Sequence, residues 1–165
     1  MKRMGIGTYA LMLSVTLWGV LLGGIVYSHL VFFPVYLSHL PESSVLVNGE
    51  YGLNDATFWT MIHPLLILSL VVSLVANWRD RSRRNMVVIT FGVYIVVIIT
   101  TMIYFLPELG QFSRSPLLPD VTAAEWVARG QRWQHMSWIR GTICLLNIVP
   151  LLFALATSRS VIEEG

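Results

Sequence analysis

The chain has 165 residues, 55% apolar and 12% charged, with a formal net charge of +2. Soluble domains carry about 25% charged residues, so this composition, with a mean hydropathy of +0.68, excludes a soluble globule and a disordered chain. The small net charge, with no basic stripe interleaved with aromatics, excludes a nucleic-acid binder; the single cysteine, Cys144, excludes an internal disulfide.

Four stretches lack Asp, Glu, Lys and Arg: Met4–Pro41, Ala56–Trp78, Asn85–Pro107 and Gly141–Ser158. A spanning helix needs about 20 apolar residues. The first stretch is too long for one crossing and too short for two, so it predicts one helix over about 8–36, ended near Pro34 or Pro41. Met1-Lys2-Arg3 resembles the start of a signal peptide. The apolar run behind it exceeds the roughly 7–15 residues of a signal core, so retention is expected. Gly19-x-x-x-Gly23 and Gly24-x-x-x-Ser28 offer this helix a face for close packing, on its own bundle or on other membrane subunits.

The connection 38–55 contains Val45-Leu46-Val47-Asn48-Gly49-Glu50-Tyr51, where Asn-Gly predicts a tight turn between extended arms. The second span is expected over 56–78, with Pro64 opening the helix. The compact Arg79–Arg84 turn leads into the third span, 85–107. A second long connection, 108–130, follows. Asp120 or Thr122 is placed to cap a helix running through Trp126 into the fourth span, 132–157. That span is long enough only if Arg140 lies inside the membrane.

Lys2, Arg3, Arg79, Arg81, Arg83, Arg84 and Arg159 fall on one side, and Arg114, Arg129, Arg132 and Arg140, diluted by acidic residues, on the other. The positive-inside rule then puts both termini in the cytoplasm and both long loops outside, in the plasma membrane. Trp59, Trp126 and Trp133 fit an outer aromatic belt and Trp78 an inner one. The expectation is an all-α integral membrane protein, residues 1–165 forming one antiparallel four-transmembrane-helix bundle with the lipid bilayer as its main partner.

Polar side chains in lipid are costly, so their positions carry information. His29, His39, His63 and His135 all fall toward the outer side, and Arg140 lies a little over one turn deeper than His135. On the third span Thr90, Tyr94, Val97, Thr101, Tyr104 and Glu108 recur at steps of three and four, one helical face. On the fourth, Arg132, Met136, Arg140, Cys144 and Asn147 do the same. Tyr27 and His29 are two steps apart and cannot both point inward. These positions predict a polar pocket in the outer half of the bundle, with Arg140 near its floor and Asp55 and Glu108 at its mouth. A buried arginine must find an anion, a phenol or carbonyls, and Tyr104 and Glu108 match it in depth.

No zinc-protease, di-iron, nucleotide-binding or nucleophile-elbow motif occurs. His29, His63 and His135 come from three helices at similar depth and form a candidate copper, zinc or haem site. Without a metal or other cofactor, the same pocket suits acid–base chemistry, a histidine taking a proton while Tyr104 or Arg140 stabilises an oxyanion.

The order of short motifs is familiar. The first span ends Tyr27…Phe33-Pro34 and leads to Leu40-Pro41; the second opens with His63-Pro64-Leu65; the third ends Phe105-Leu106-Pro107; the fourth opens Arg132-Trp133 and continues Trp138-Ile139-Arg140. This resembles the anthrone oxygenase-like membrane proteins over roughly residues 18–154. The resemblance implies a four-span bundle and, from the fungal members, oxidation of an anthrone to an anthraquinone by oxygen without a metal. Trp133 and Arg140 carry over best. The chain departs from the family pattern at Ser137 and His63, where asparagines are expected, and at Pro107-Glu108-Leu109, which lacks the asparagine after the proline.

Three readings are open from the sequence. The first is a membrane oxidoreductase or oxygenase acting on an apolar phenol, quinol or anthrone. It uses Arg140, His63, Tyr104 and His135 as catalytic groups, and Trp133, His29, Tyr27 and Glu108 to bind substrate. The second is an accessory subunit of a larger membrane complex, packing through the Gly19/Gly23 face. The third is a metal or haem protein using His29, His63 and His135.

Overall fold

The computed structural model describes residues 5–157. Lys2, Arg3 and Arg159, three of the charges behind the orientation reading, lie outside the described residues. All secondary structure among the described residues is helical. Four long helices dominate: α1 (Ile6–Ser38), α2 (Ala56–Ala76), α3 (Arg81–Leu117) and α4 (Ala123–Ala156), each long and apolar enough to cross a membrane. α1 packs on α2 and α4, and α3 packs on the same two helices. The result is an up-down-up-down bundle, with one end closed by the short α2–α3 turn and the other carrying both long connections. These are called the turn end and the loop end.

The outward faces are apolar along their length, with Leu13, Val20, Leu65, Leu68, Ile99, Ile139 and Phe153 all exposed. A soluble protein does not leave so continuous an apolar surface to water. The chain is a multi-pass membrane protein.

The helices interlock at two separate cores. One, within the bundle, gathers Leu11, Trp18, Leu21, Leu66, Leu70, Val87, Tyr94 and Leu151. The other lies at the loop end around Phe33, Tyr36, Leu37, Phe105, Phe112, Trp126 and Trp133. α1, with 33 residues, and α3, with 37, are about 50 Å or more in length at about 1.5 Å per residue. A hydrocarbon core is about 30 Å thick, and the excess length at the loop end forms a cap. The first connection contributes a turn of helix at Val45–Asn48 rather than extended arms around Asn48-Gly49. Gly49 N–H closes it onto the Val45 carbonyl at 2.8 Å, Leu46 and Val47 pack on the loop-end core, and the Asn48 amide donates to the Ser113 carbonyl. Packing of the two apolar side chains outweighs the turn preference of Asn-Gly.

Pro64 lies inside α2, which starts at Ala56, so it does not open the helix. α4 starts at Ala123, where Thr122 and Glu125 form a reciprocal capping box; Thr122 is the cap.

The turn end is fastened by one side chain. Arg83 of α3 is 4% exposed. It donates to the Thr157 carbonyl at 2.6 and 3.2 Å, to Thr8 Oγ1 at 3.1 Å and to Asn77 Oδ1 at 3.4 Å. Asn77 Nδ2 donates in turn to the Gly7 carbonyl at 3.0 Å. The guanidinium therefore joins all four helices and meets the carbonyl end of α4, where the helix dipole favours a cation.

Candidate functional site

Two widened turns set the site. α1 has a π-helical turn at Ser28–Phe32 and α3 has one at Thr101–Phe105. Each precedes a proline, Pro34 or Pro107. A proline ring cannot sit against the carbonyl four residues earlier, and one extra residue in the turn makes room. The extra residue also rotates the rest of the helix by about 100°. On α3, Thr90, Tyr94 and Val97 are buried before the turn, as the spacing predicts. After it Phe105 and Phe112 are buried instead, while Tyr104 is 39% exposed. This corrects the expected face: Tyr104 is not turned inward, and Thr101 meets the arginine. On α4 the buried series is Trp126, Gly130, Trp133, Ser137, Gly141 and Cys144, one step from the series read through Arg132 and Met136.

Between the two cores lies a polar chain. Arg140 Nη2 donates to Ser137 Oγ at 2.9 Å and Nη1 to Thr101 Oγ1 at 3.0 Å. Ser137 Oγ is 3.0 Å from His29 Nε2, and His29 Nδ1 is 2.8 Å from the Ile25 carbonyl. A carbonyl only accepts, so Nδ1 carries the proton. In the neutral ring Nε2 then accepts from Ser137, and the direction of every bond in the chain is fixed. Thr101 Oγ1 donates to the Val97 carbonyl at 2.7 Å. The Arg140 guanidinium also lies 4.0 Å over the Phe105 ring and 6.0 Å from that of Trp133. Trp133 Nε1 donates to the Phe105 carbonyl at 3.0 Å.

No carboxylate among the described residues pairs with Arg140. The ion pairs found there are Arg83–Asp80 and Arg129–Glu108. Two of the guanidinium's five N–H groups are engaged and three remain.

A second group stands beside this chain. His63 Nδ1 is 2.5 Å from the Tyr94 hydroxyl, and Tyr94 is fully buried. The hydroxyl has no other hydrogen-bond partner among the described residues, so it donates to Nδ1, and His63 presents an Nε2–H donor. Trp59 stacks on His63 at 5.8 Å and 25°, and Trp59 Nε1 donates to Asp55 Oδ2 at 3.2 Å. Tyr94 packs on Trp18, whose Nε1 donates to the Cys144 carbonyl at 3.0 Å.

Between α1 and α2 at the loop end is an open cleft of about 480 Å³. Tyr27, Phe32, Phe58 and Trp59 line it, with Asp55 and Gly23.

The sequence-derived candidates therefore separate. His29, Trp133 and Arg140 come together, and His63 stands with Tyr94. Tyr27 lies in the cleft. Glu108 is not a partner of Arg140: both its oxygens accept from Arg129 at 2.8 Å. His135 is exposed. Among the described residues no three His, Cys, Asp or Glu side chains are grouped so as to hold a metal ion, and His29, His63 and His135 do not form such a group. Gly19 and Gly23 face open space. Sequence reasoning missed Ser137, which it treated as a departure, Thr101 as the direct partner of Arg140, and Arg83 as a fastener. The i, i+3 spacing of Ser137 and Arg140 was the available signal. No family model, curated protein or solved structure matches the chain.

Proposed function

We propose that this multi-pass membrane protein is an oxidoreductase of the plasma membrane, its loop end outside, acting on an apolar phenol, quinol or anthrone. One observation carries the reading: Arg140 is a guanidinium within the bundle that has hydroxyl partners, an aromatic floor and, among the described residues, no carboxylate partner. A cation so placed is complementary to a negative charge that comes and goes. An oxygen that becomes a phenolate or enolate supplies one. His63 adds a second donor to that oxygen, its Nε2–H, in the tautomer that the Tyr94 hydroxyl holds by donating to Nδ1. The resemblance of the motif order to the anthrone oxygenase-like proteins supports the substrate class. For an anthrone the balanced reaction is anthrone plus dioxygen giving anthraquinone plus water. Loss of a proton to water makes the electron-rich anion that dioxygen oxidises, Arg140 stabilises that anion, and the proton is taken back when the reduced oxygen leaves as water.

The test uses the full chain in lipid nanodiscs, supplied with anthrone or a naphthoquinol under air, with product formation and oxygen uptake followed together. The expected result is turnover well above empty nanodiscs, lost in Arg140→Gln and His63→Ala. A rate equal to empty nanodiscs for every substrate, or full activity in Arg140→Gln, overturns the reading.

One observation favours a second reading, an accessory subunit. A side chain added at Gly19 or Gly23 meets nothing within 4 Å, so this face of α1 is uncovered and suits close packing by another helix. Under that reading Gly19→Ile releases a co-purifying membrane protein and Arg140→Gln does not.

A further inference from the structure

We infer that the loop-end cleft between α1 and α2 is a binding site for one planar, apolar molecule bearing a hydroxyl group, which lies among Tyr27, Phe32, Phe58 and Trp59 and donates a hydrogen bond to Asp55. The class of molecule rests on the proposed function; the site rests on its own geometry. Its volume, about 480 Å³, is that of a small-molecule pocket, roughly 300–1,000 Å³. Four aromatic side chains supply flat apolar walls. The polar contact is specific. Among the described residues Asp55 accepts one side-chain hydrogen bond, from Trp59 to Oδ2, while a carboxylate has about four acceptor positions, so among these residues Oδ1 has room for a donor. A phospholipid is the wrong occupant, because its phosphate would lie beside that carboxylate.

One wall of the cleft lacks side chains where Gly23 and Gly24 line it. Gly24 has Phe58 against it, but a Cβ on Gly23 meets nothing within 4 Å. Gly23 lines the cleft, so a larger residue there would stand at its wall without displacing any neighbour. Trp59 connects the cleft to the polar site, since the ring that lines it also stacks on His63. The bound molecule is one aromatic ring away from the His63–Tyr94 pair.

The experiment measures equilibrium binding of 2-naphthol to the full chain in phosphatidylcholine nanodiscs, with 2-methoxynaphthalene as the same ring system without a donor. The expected result is saturable binding of one 2-naphthol per chain above the partitioning of empty nanodiscs. The methoxy compound should bind about tenfold more weakly, the loss expected for one hydrogen bond to a charged acceptor. Gly23→Leu abolishes saturable binding of both probes with unchanged thermal unfolding. Asp55→Asn removes most of the preference for 2-naphthol, and it decides the matter should Gly23→Leu fail to fold. Binding no greater than in empty nanodiscs overturns the site, as does binding that neither substitution alters. The two proposals fail separately. Saturable 2-naphthol binding without turnover of any substrate removes the oxidoreductase reading and leaves the site; turnover without saturable binding does the reverse.

Discussion

Ser137 places its hydroxyl 3.0 Å from His29 Nε2, joining α4 to α1 at the level where Arg140 reaches across to α3. The same oxygen accepts from Arg140, so one small side chain orients both ring and guanidinium. Ser137→Ala leaves His29 Nε2 without its donor and Arg140 with one acceptor fewer. The expected loss of stability is about 1–2 kcal/mol, the range for a polar contact broken between membrane helices. The accompanying loss of turnover should exceed that of a mere folding defect. Unfolding in mixed micelles, measured beside activity per folded molecule, checks both.

Arg83 predicts a purely structural phenotype. Arg83→Ala removes donors to Thr8, Asn77 and Thr157 at once and leaves the buried Asn77 acceptor and the part-buried Thr8 and Thr157 acceptors without their donor, a loss of about 2–4 kcal/mol. Lysine should not restore stability, because its point charge cannot reproduce the planar fork. The neighbouring Arg84, whose guanidinium lies over Trp78, should tolerate alanine within about 0.5 kcal/mol. Chemical unfolding of the three variants decides; equal stability of Arg83→Ala and the parent would contradict the fastening role.

Gly130 and Gly19 should respond oppositely to the same change. A Cβ at Gly130 would lie 2.9 Å from the Leu37 carbonyl oxygen, backbone that cannot swing aside, so Gly130→Ala should separate α1 from α4 at a cost of about 1–3 kcal/mol. Gly19→Ala meets nothing and should be neutral or stabilising by about 0.5–1 kcal/mol through helix propensity. Thermal unfolding of the two single variants is sufficient.

The Glu108–Arg129 pair is part-exposed, with 22% and 32% of the side-chain surface accessible. Pairs of this kind contribute about 0–1 kcal/mol. Glu108→Gln should therefore cost little stability and leave Arg140-dependent activity intact. A loss of activity as large as that of Arg140→Gln would restore Glu108 to the site from which the geometry removes it.

The four helices were legible because lipid imposes a length and forbids unpaired charge, so runs free of Asp, Glu, Lys and Arg marked them directly. Thr122 was legible as a cap because a hydroxyl followed three residues on by Glu125 has one common use. The outer faces of α3 and α4 were not. Extending an ideal 3.6-residue period through Thr101–Phe105 put Tyr104 and Glu108 inward. The widened turn before Pro107 turns Phe105 inward in their place. Arg140 was legible as a cation within the bundle, where it is part-buried, but its partners were not, because serine and threonine are too common in membrane helices to single out Ser137 and Thr101. Arg83 was hidden among the arginines of its turn: charge counting gives the same weight to a solvated arginine and to one holding four helices.

The widened turns act as phase shifts written into α1 and α3. Below them each helix keeps one azimuth, which fills the bundle core; above them it keeps another, which builds the aromatic cap. The polar site lies at the boundary between the two phases. Removing one of Met102, Ile103 or Tyr104 would take the widened turn out of α3 and still leave Phe105 at the azimuth it already holds, because the turn carries one residue more than an α-helical path between the same flanks. Phe105 would keep its place over the Arg140 guanidinium after such a deletion, whereas tightening the same turn to an α-helix with every residue retained would put Tyr104 there instead, without altering any residue on α4.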